Sequence, residues 1–131
     1  MGVLNKDAIQ QANDVEMKKV AVPEWGGDLY VRSMTGGDRT KFEMAVTSDN
    51  AKTAEKAKQQ AKVRIIIMTA CDEEGNLLFS ESDVHWLSKK AAKPIERVFE
   101  AARILNGIGT EDIEELAGNS DEVQGDGSPS D

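Results

Sequence analysis

The sequence predicts an α+β domain, mainly helical, in which a small N-terminal antiparallel β-hairpin packs on about four to five helices and a disordered acidic C-terminal tail follows. Three observations carry this. Valine-rich residues 15–22 and residues 29–34 flank the turn segment Pro23-Glu24-Trp25-Gly26-Gly27-Asp28, the pattern of two strands joined tightly. Most of the following sequence repeats apolar residues at spacings of three and four, the helical period. Residues 111–131 hold eight acidic residues and no Lys or Arg.

Each element has a local reason. Asn5 is placed to cap a short helix over 5–13, with Ala8, Ile9 and Ala12 as a weak apolar face that is stable only if it docks. In the first strand Val15 and Met17 share one face while Val20 and Val22 share the other, which points to a bulge or a loose register near Lys18-Lys19. Thr35, with Asp38 three residues on, caps a helix running to about Val46 with Phe42, Ala45 and Val46 inward. The longest helical pattern covers 51–70 through Ala54, Ala57, Ala61, Ile65 and Met68. Its first half is solvated and its second half, Val63 to Ala70, is buried. The run Ile65-Ile66-Ile67 also fits a strand, but it continues an unbroken helix-forming stretch, so helix ranks first.

Glu73-Glu74-Gly75-Asn76 turns the chain, and Leu77-Leu78-Phe79 reads as a strand fragment. Ser80 to Asp83 caps a helix over 81–90 with Val84 and Leu87 inward. Pro94 suits the first turn of a helix over 94–106, whose inward face is Ile95, Val98, Phe99, Ala102 and Leu105 and whose stop is Gly107. Thr110-Glu111-Asp112 caps a last short helix ending at Gly118, and residues 119–131, with one aliphatic residue, are expected to be disordered. The expected organisation is one domain over 1–118 and a disordered acidic tail over 119–131.

Composition excludes several functions. No apolar stretch is long enough to span a membrane, and Met1 to Asp7 lacks the basic start and apolar run of a secretory signal. The single cysteine, Cys71, rules out an internal disulfide or a Cys-based zinc cluster and fits a reduced, cytoplasmic compartment. His85 is the only histidine, and Cys71 reads as a small buried hydrophobe, so no catalytic residue is assigned and the chain is not expected to be an enzyme. No cofactor and no metal is expected. Gly26-Gly27 and Gly36-Gly37 match no nucleotide-binding pattern, and Asp72-Glu73-Glu74 lacks calcium-loop spacing.

The formal charge of −8 belongs to the C-terminal end, because residues 1–110 carry 16 basic and 16 acidic side chains. A neutral body argues against non-specific nucleic-acid binding. One basic cluster, Lys52, Lys56, Lys58, Lys62 and Arg64, fits either a phosphate backbone or an acidic partner, including the chain's own tail. Trp25 in the hairpin turn and Trp86 beside His85 sit where exposure is expected, which points to partner binding. With Tyr30 and Arg32 on the hairpin they form the candidate partner-binding set. The alternative puts Trp25 and Phe42 in the core.

Four segments, LNKDAI, VPEWGGDLYVRSMTGGDRTKFE, DEEGNLLFSESDV and VFEAARILNGIG, occur in an order that resembles the tail assembly chaperones of long-tailed bacteriophages. The resemblance covers roughly residues 4–118 and is most specific in VPEWGG and in Met34 to Arg39 with Phe42; the Leu105-Asn106-Gly107 step adds support. It implies a non-enzymatic protein of the infected bacterial cytoplasm. Such a protein would bind the tape measure protein, help tail-tube subunits polymerise around it, and leave before the particle is finished. It leaves room for self-association along a long client and for a longer frameshifted form, of which this chain would be the shorter. No membrane partner is implied. The rival readings are a structural virion protein, such as a tail terminator or head–tail connector, a nucleic-acid-binding regulator using the Lys52 to Arg64 helix, and an enzyme dependent on His85.

Overall fold

The hairpin forms and gains a third strand. The computed structural model describes residues 2–47, 52, 55–56, 59–109 and 111. Strands β1 (Met17–Val22) and β2 (Gly27–Arg32) pair antiparallel in one unbroken register, from Met17 opposite Arg32 to Val22 opposite Gly27. A 3-10 turn over Pro23–Trp25 joins them and closes on Gly26 at φ 85°, a conformation that favours glycine. The expected bulge at Lys18-Lys19 is absent. Val20 and Val22 face the core, whereas Met17 lies on the opposite, exposed face of the same strand and Val15 is exposed before it, so the change of face in the apolar pattern involves no change of register.

Strand β3 (Ala70–Cys71) adds to β2 through Tyr30 opposite Cys71 and Val31 opposite Ala70, giving the order β1-β2-β3. Leu77 bridges back to Cys71, and the Leu78 N–H donates to the Ala70 carbonyl at 3.0 Å. The expected strand over Leu77 to Phe79 is therefore a single bridge, which closes the outer edge of β3.

The hydrogen-bond phase of the sheet follows from two contacts. The Ser33 N–H donates to the Glu16 carbonyl at 2.9 Å, and the Glu16 N–H donates to Ser33 Oγ at 2.9 Å. Bonded and non-bonded pairs alternate along an antiparallel ladder. Lys18, Val20 and Val22 therefore bond to β2, while Met17, Lys19 and Ala21 turn their N–H and C=O groups away from it. The Leu78 contact requires the same phase, because Ala70 lies opposite Val31 and turns its carbonyl away from β2.

Five α-helices lie wholly within the described residues. Helix α1 (Lys6–Gln11) is capped by the Asn5 side chain, which accepts from the Ala8 N–H at 2.9 Å. Every residue from 2 to 19 is exposed, so the Ala8, Ile9 and Ala12 face covers nothing among the described residues. Helix α2 (Gly36–Val46) starts at Thr35, whose Oγ1 accepts from the Asp38 N–H at 3.0 Å, and buries Phe42 and Val46. Helix α3 (Ala61–Thr69) contains Ile65, Ile66 and Ile67, all buried, and ends where Ala70 enters the sheet. Of the expected first half of that helix, Ala54, Ala57 and Lys58 lie outside the described residues.

Helix α4 (Val84–Leu87) follows a 3-10 turn over Glu81–Asp83 and is shorter than the 81–90 pattern implied. Helix α5 (Ala92–Leu105) begins just before Pro94 and buries Ile95, Val98, Phe99 and Ala102. It ends in a Schellman motif: the Ile108 N–H donates to the Arg103 carbonyl at 2.9 Å, the Gly107 N–H to Ile104 at 3.1 Å, and Gly107 has φ 66°. The expected helix over 110–118, apart from Glu111, and the tail over 119–131 lie outside the described residues.

The core has two layers. Val20, Val22, Leu29 and Val31 line one face of the sheet, and α3 and α5 pack side by side against it, with α2 against α3. Asn106 ties the layers together. Its Oδ1 accepts from the Met34 N–H at 2.7 Å, and its Nδ2 donates to the Arg32 carbonyl at 3.3 Å and the Ala102 carbonyl at 2.9 Å. Cys71 is fully buried within β3, and that burial pushes its thiol up, away from the reactive thiolate.

Candidate functional site

The two tryptophans line the same cleft. Trp25 stands on the 3-10 turn that joins β1 to β2, and Trp86 stands on α4. With Phe79, Leu87, Glu24 and Lys90 they line one open cleft of about 390 Å³. Leu87 is buried, while Trp86 is 45% exposed. Trp25 and Phe79 are half-buried and pack against the core, which joins the two expectations for Trp25: it is a core neighbour and a cleft wall at once. The Phe79 and Trp86 rings meet edge to face, with centroids 5.9 Å apart and planes 67° apart, an arrangement the ring quadrupoles favour.

Asp83 sets the Trp86 ring. Its Oδ1 accepts from the indole Nε1 at 2.8 Å, and its Oδ2 accepts from the Ser80 N–H at 2.8 Å. These two bonds, the indole first, hold the Asp83 carboxyl below the ordinary Asp value. On the rim, Arg97 of α5 forms an ion pair with Glu24. That hydrogen bond lowers the Glu24 carboxyl and fastens the hairpin turn to the helix layer. Lys90 carries no ion pair among the described residues and is the free cation of the cleft.

A pH prediction follows with a definite sign. A carboxylate whose folded pKa is depressed stabilises the fold above its unfolded value and loses that effect as pH falls through the folded value. In a Trp25→Phe chain, Trp86 fluorescence should be flat above the ordinary Asp value of 3.8 and change below it. In a Trp25→Phe/Asp83→Asn chain that step should vanish, and its persistence would show that Asp83 does not hold the ring.

The other expected binding residues lie elsewhere. Tyr30 lines a second cleft, about 380 Å³, with Lys19, Asp28, Cys71, Asp72 and Leu78. The Arg32 guanidinium donates from Nη1 to the Gly75 carbonyl at 2.6 Å, so it is spent on the 72–76 turn. Asp72 builds that turn: its Oδ1 accepts from the Glu74 N–H at 2.9 Å and the Asn76 N–H at 3.0 Å, and the latter bond leads in lowering its carboxyl. The basic cluster is partly neutralised. Lys62 meets Glu96 at 2.5 Å and lies 5.2 Å from the Phe99 ring centroid, and Arg64 pairs with Glu81. Those pairs remove two of the charges that a phosphate backbone would need.

A model of the phage tail assembly chaperone family matches residues 4–119. The chain belongs to this family. Among solved structures, the bacteriophage HK97 tail assembly chaperone superposes with a TM-score of 0.55 at 22% identity, over 76% of this chain and 94% of that one. The two share a fold. A search of curated proteins gives no match. No helix among the described residues is long and apolar enough to cross a membrane.

Family membership also explains which motifs are structural. In this chaperone the VPEWGG segment makes the 3-10 turn and its Gly26 closure, and the Leu105-Asn106-Gly107 step supplies the Asn106 tie and the Schellman glycine. Two cleft residues, Phe79 and Lys90, carry no mark in the sequence. Phe79 sits in a run of three apolar residues that reads as a strand, and Lys90 has no feature that separates it from the adjacent Lys89.

Proposed function

We propose that this chaperone is non-enzymatic and works in the host bacterial cytoplasm. It binds the tape measure protein, aids tail-tube assembly around it, and is absent from the finished particle. The observation that carries the client-binding part is the aromatic cleft. Two tryptophans and a phenylalanine from separate segments form an open, largely apolar slot beside one free lysine. Such a slot suits one or two large apolar side chains on the face of an amphipathic helix, with a client carboxylate near Lys90. Its open shape suits a contact that has to be released. In this reading Trp25 and Trp86 carry the client contact, while Tyr30 and Arg32 do not share it.

The test is co-expression with the tape measure protein encoded in the same genome. The expected result is that the client becomes soluble and co-purifies. Trp86→Ala should reduce recovered client by about tenfold or more, as an aromatic anchor does. The variant's melting temperature should shift by only a few degrees, since the ring is half exposed. Undiminished capture by Trp86→Ala would remove the cleft from the reading. Finding the chain in purified particles by mass spectrometry would favour a structural virion protein instead.

A further inference from the structure

We propose that the open edge of β1 is an augmentation site for an extended, carboxylate-bearing segment of a partner protein. The two edges of the sheet are treated differently. The β3 edge is closed by the Leu77 bridge and the Leu78 N–H. The β1 edge pairs with nothing among the described residues, and Met17, Lys18, Lys19 and Ala21 are all exposed. The phase of the ladder makes this edge usable, because Met17, Lys19 and Ala21 present their N–H and C=O groups outward in a straight row. The strand contains no proline and no bulge, two common devices that blunt an edge. An unpaired edge of this kind accepts a further strand through main-chain hydrogen bonds.

Charge selects the occupant. Lys18 carries no ion pair among the described residues. Lys19 reaches Asp28 at 3.5 Å with both side chains well exposed, a contact that exchanges readily. A second copy of this chain is a poor fit. In the antiparallel self-pairing that uses all three outward residues, Lys19 lies opposite its own copy, and like charges directly opposite are destabilising. A segment with acidic residues opposite Lys18 and Lys19 gains two cross-strand charge pairs instead. The same lysines that stop the edge from pairing with itself thus choose an acidic strand. The aromatic cleft plays no part in this site, so the two proposals stand or fall separately.

The probe is a labelled peptide, Ac-Val-Thr-Val-Glu-Glu-Val-NH2, which run antiparallel places its two glutamates opposite Lys19 and Lys18. It should bind the full chain and slow amide hydrogen exchange at Met17, Lys19 and Ala21, leaving Lys18 and Val20, already bonded to β2, unchanged. The same peptide with lysine in place of both glutamates should bind at least tenfold more weakly, and the Lys18→Glu/Lys19→Glu chain should invert that order. Ala21→Pro removes only an outward N–H, so it should weaken binding at least tenfold while the far-UV spectrum and melting temperature hold. The proposal is overturned if no protection appears at the three amides, if both peptides bind alike, or if Ala21→Pro binds like the parent. Protection that rises with protein concentration alone would make the edge a self-pairing surface and also overturn it.

Discussion

Phe99→Ala should be the most damaging single truncation in the described fold, at about 3–5 kcal/mol. Phe99 is 2% exposed and belongs to the buried cluster that joins α5 to α3 and the sheet. Cutting the ring to a methyl removes its contacts on all sides and leaves a cavity that two helices and a sheet cannot readily close. It also removes the ring beneath the Lys62 ammonium. A domain of this size holds only about 5–15 kcal/mol in total, so the variant should melt roughly 10–25 °C lower. Ile104 on the same helix is 63% exposed, and Ile104→Ala should move the melting point by no more than a few degrees. Thermal denaturation followed by circular dichroism measures both. A small loss for Phe99→Ala would mean that the core refills around the gap.

Asn106→Leu comes second, at about 2–4 kcal/mol. The side chain is close in volume, but the three hydrogen bonds to Met34, Arg32 and Ala102 are lost. The Met34 N–H and the Arg32 carbonyl are left without that partner, which costs more than the bonds themselves contributed, while the Ala102 carbonyl keeps the residue-106 N–H at 3.1 Å. Both groups lie where β2 hands over to α2, so the damage should appear on the sheet as well as on α5. Urea unfolding gives the total, and native-state hydrogen exchange should show the Met34 amide losing protection first. An Asn106→Leu chain as stable as the parent would mean that α5 and the hairpin are held by apolar packing alone.

The parts legible in the sequence are those with local causes. Thr35 and Asp38 start α2, Gly107 stops α5, and the α5 stripe of Ile95, Val98, Phe99 and Ala102 names its own buried face. Long-range causes are not legible. Ala70 and Cys71 continue an apolar helical run and become a strand only because Tyr30 and Val31 offer them a partner. Met17 mimics a register change because it is an apolar residue on the strand face opposite the one that α5 covers, and Val15 precedes the strand. Ala8 and Ile9 form a face with no surface to meet. The candidate site splits for the same reason. Trp25 and Trp86 can each be marked as exposed aromatics, but their sharing one cleft depends on how α4 sits beside the hairpin turn. The sequence gives no sign that Arg32 is already engaged, because its acceptor is a turn carbonyl on a distant segment.

The order of elements has a consequence for synthesis. A polypeptide leaves the ribosome N-terminus first, and the hairpin precedes both helices that cover its apolar face. Until α5 and the Asn106 tie have emerged, β1 lacks its covering helix and only α3 is available to pack on β2. The sheet's cover is therefore complete only after Leu105 has cleared the exit tunnel. A chaperone thus spends most of its own translation with its own sheet incompletely covered.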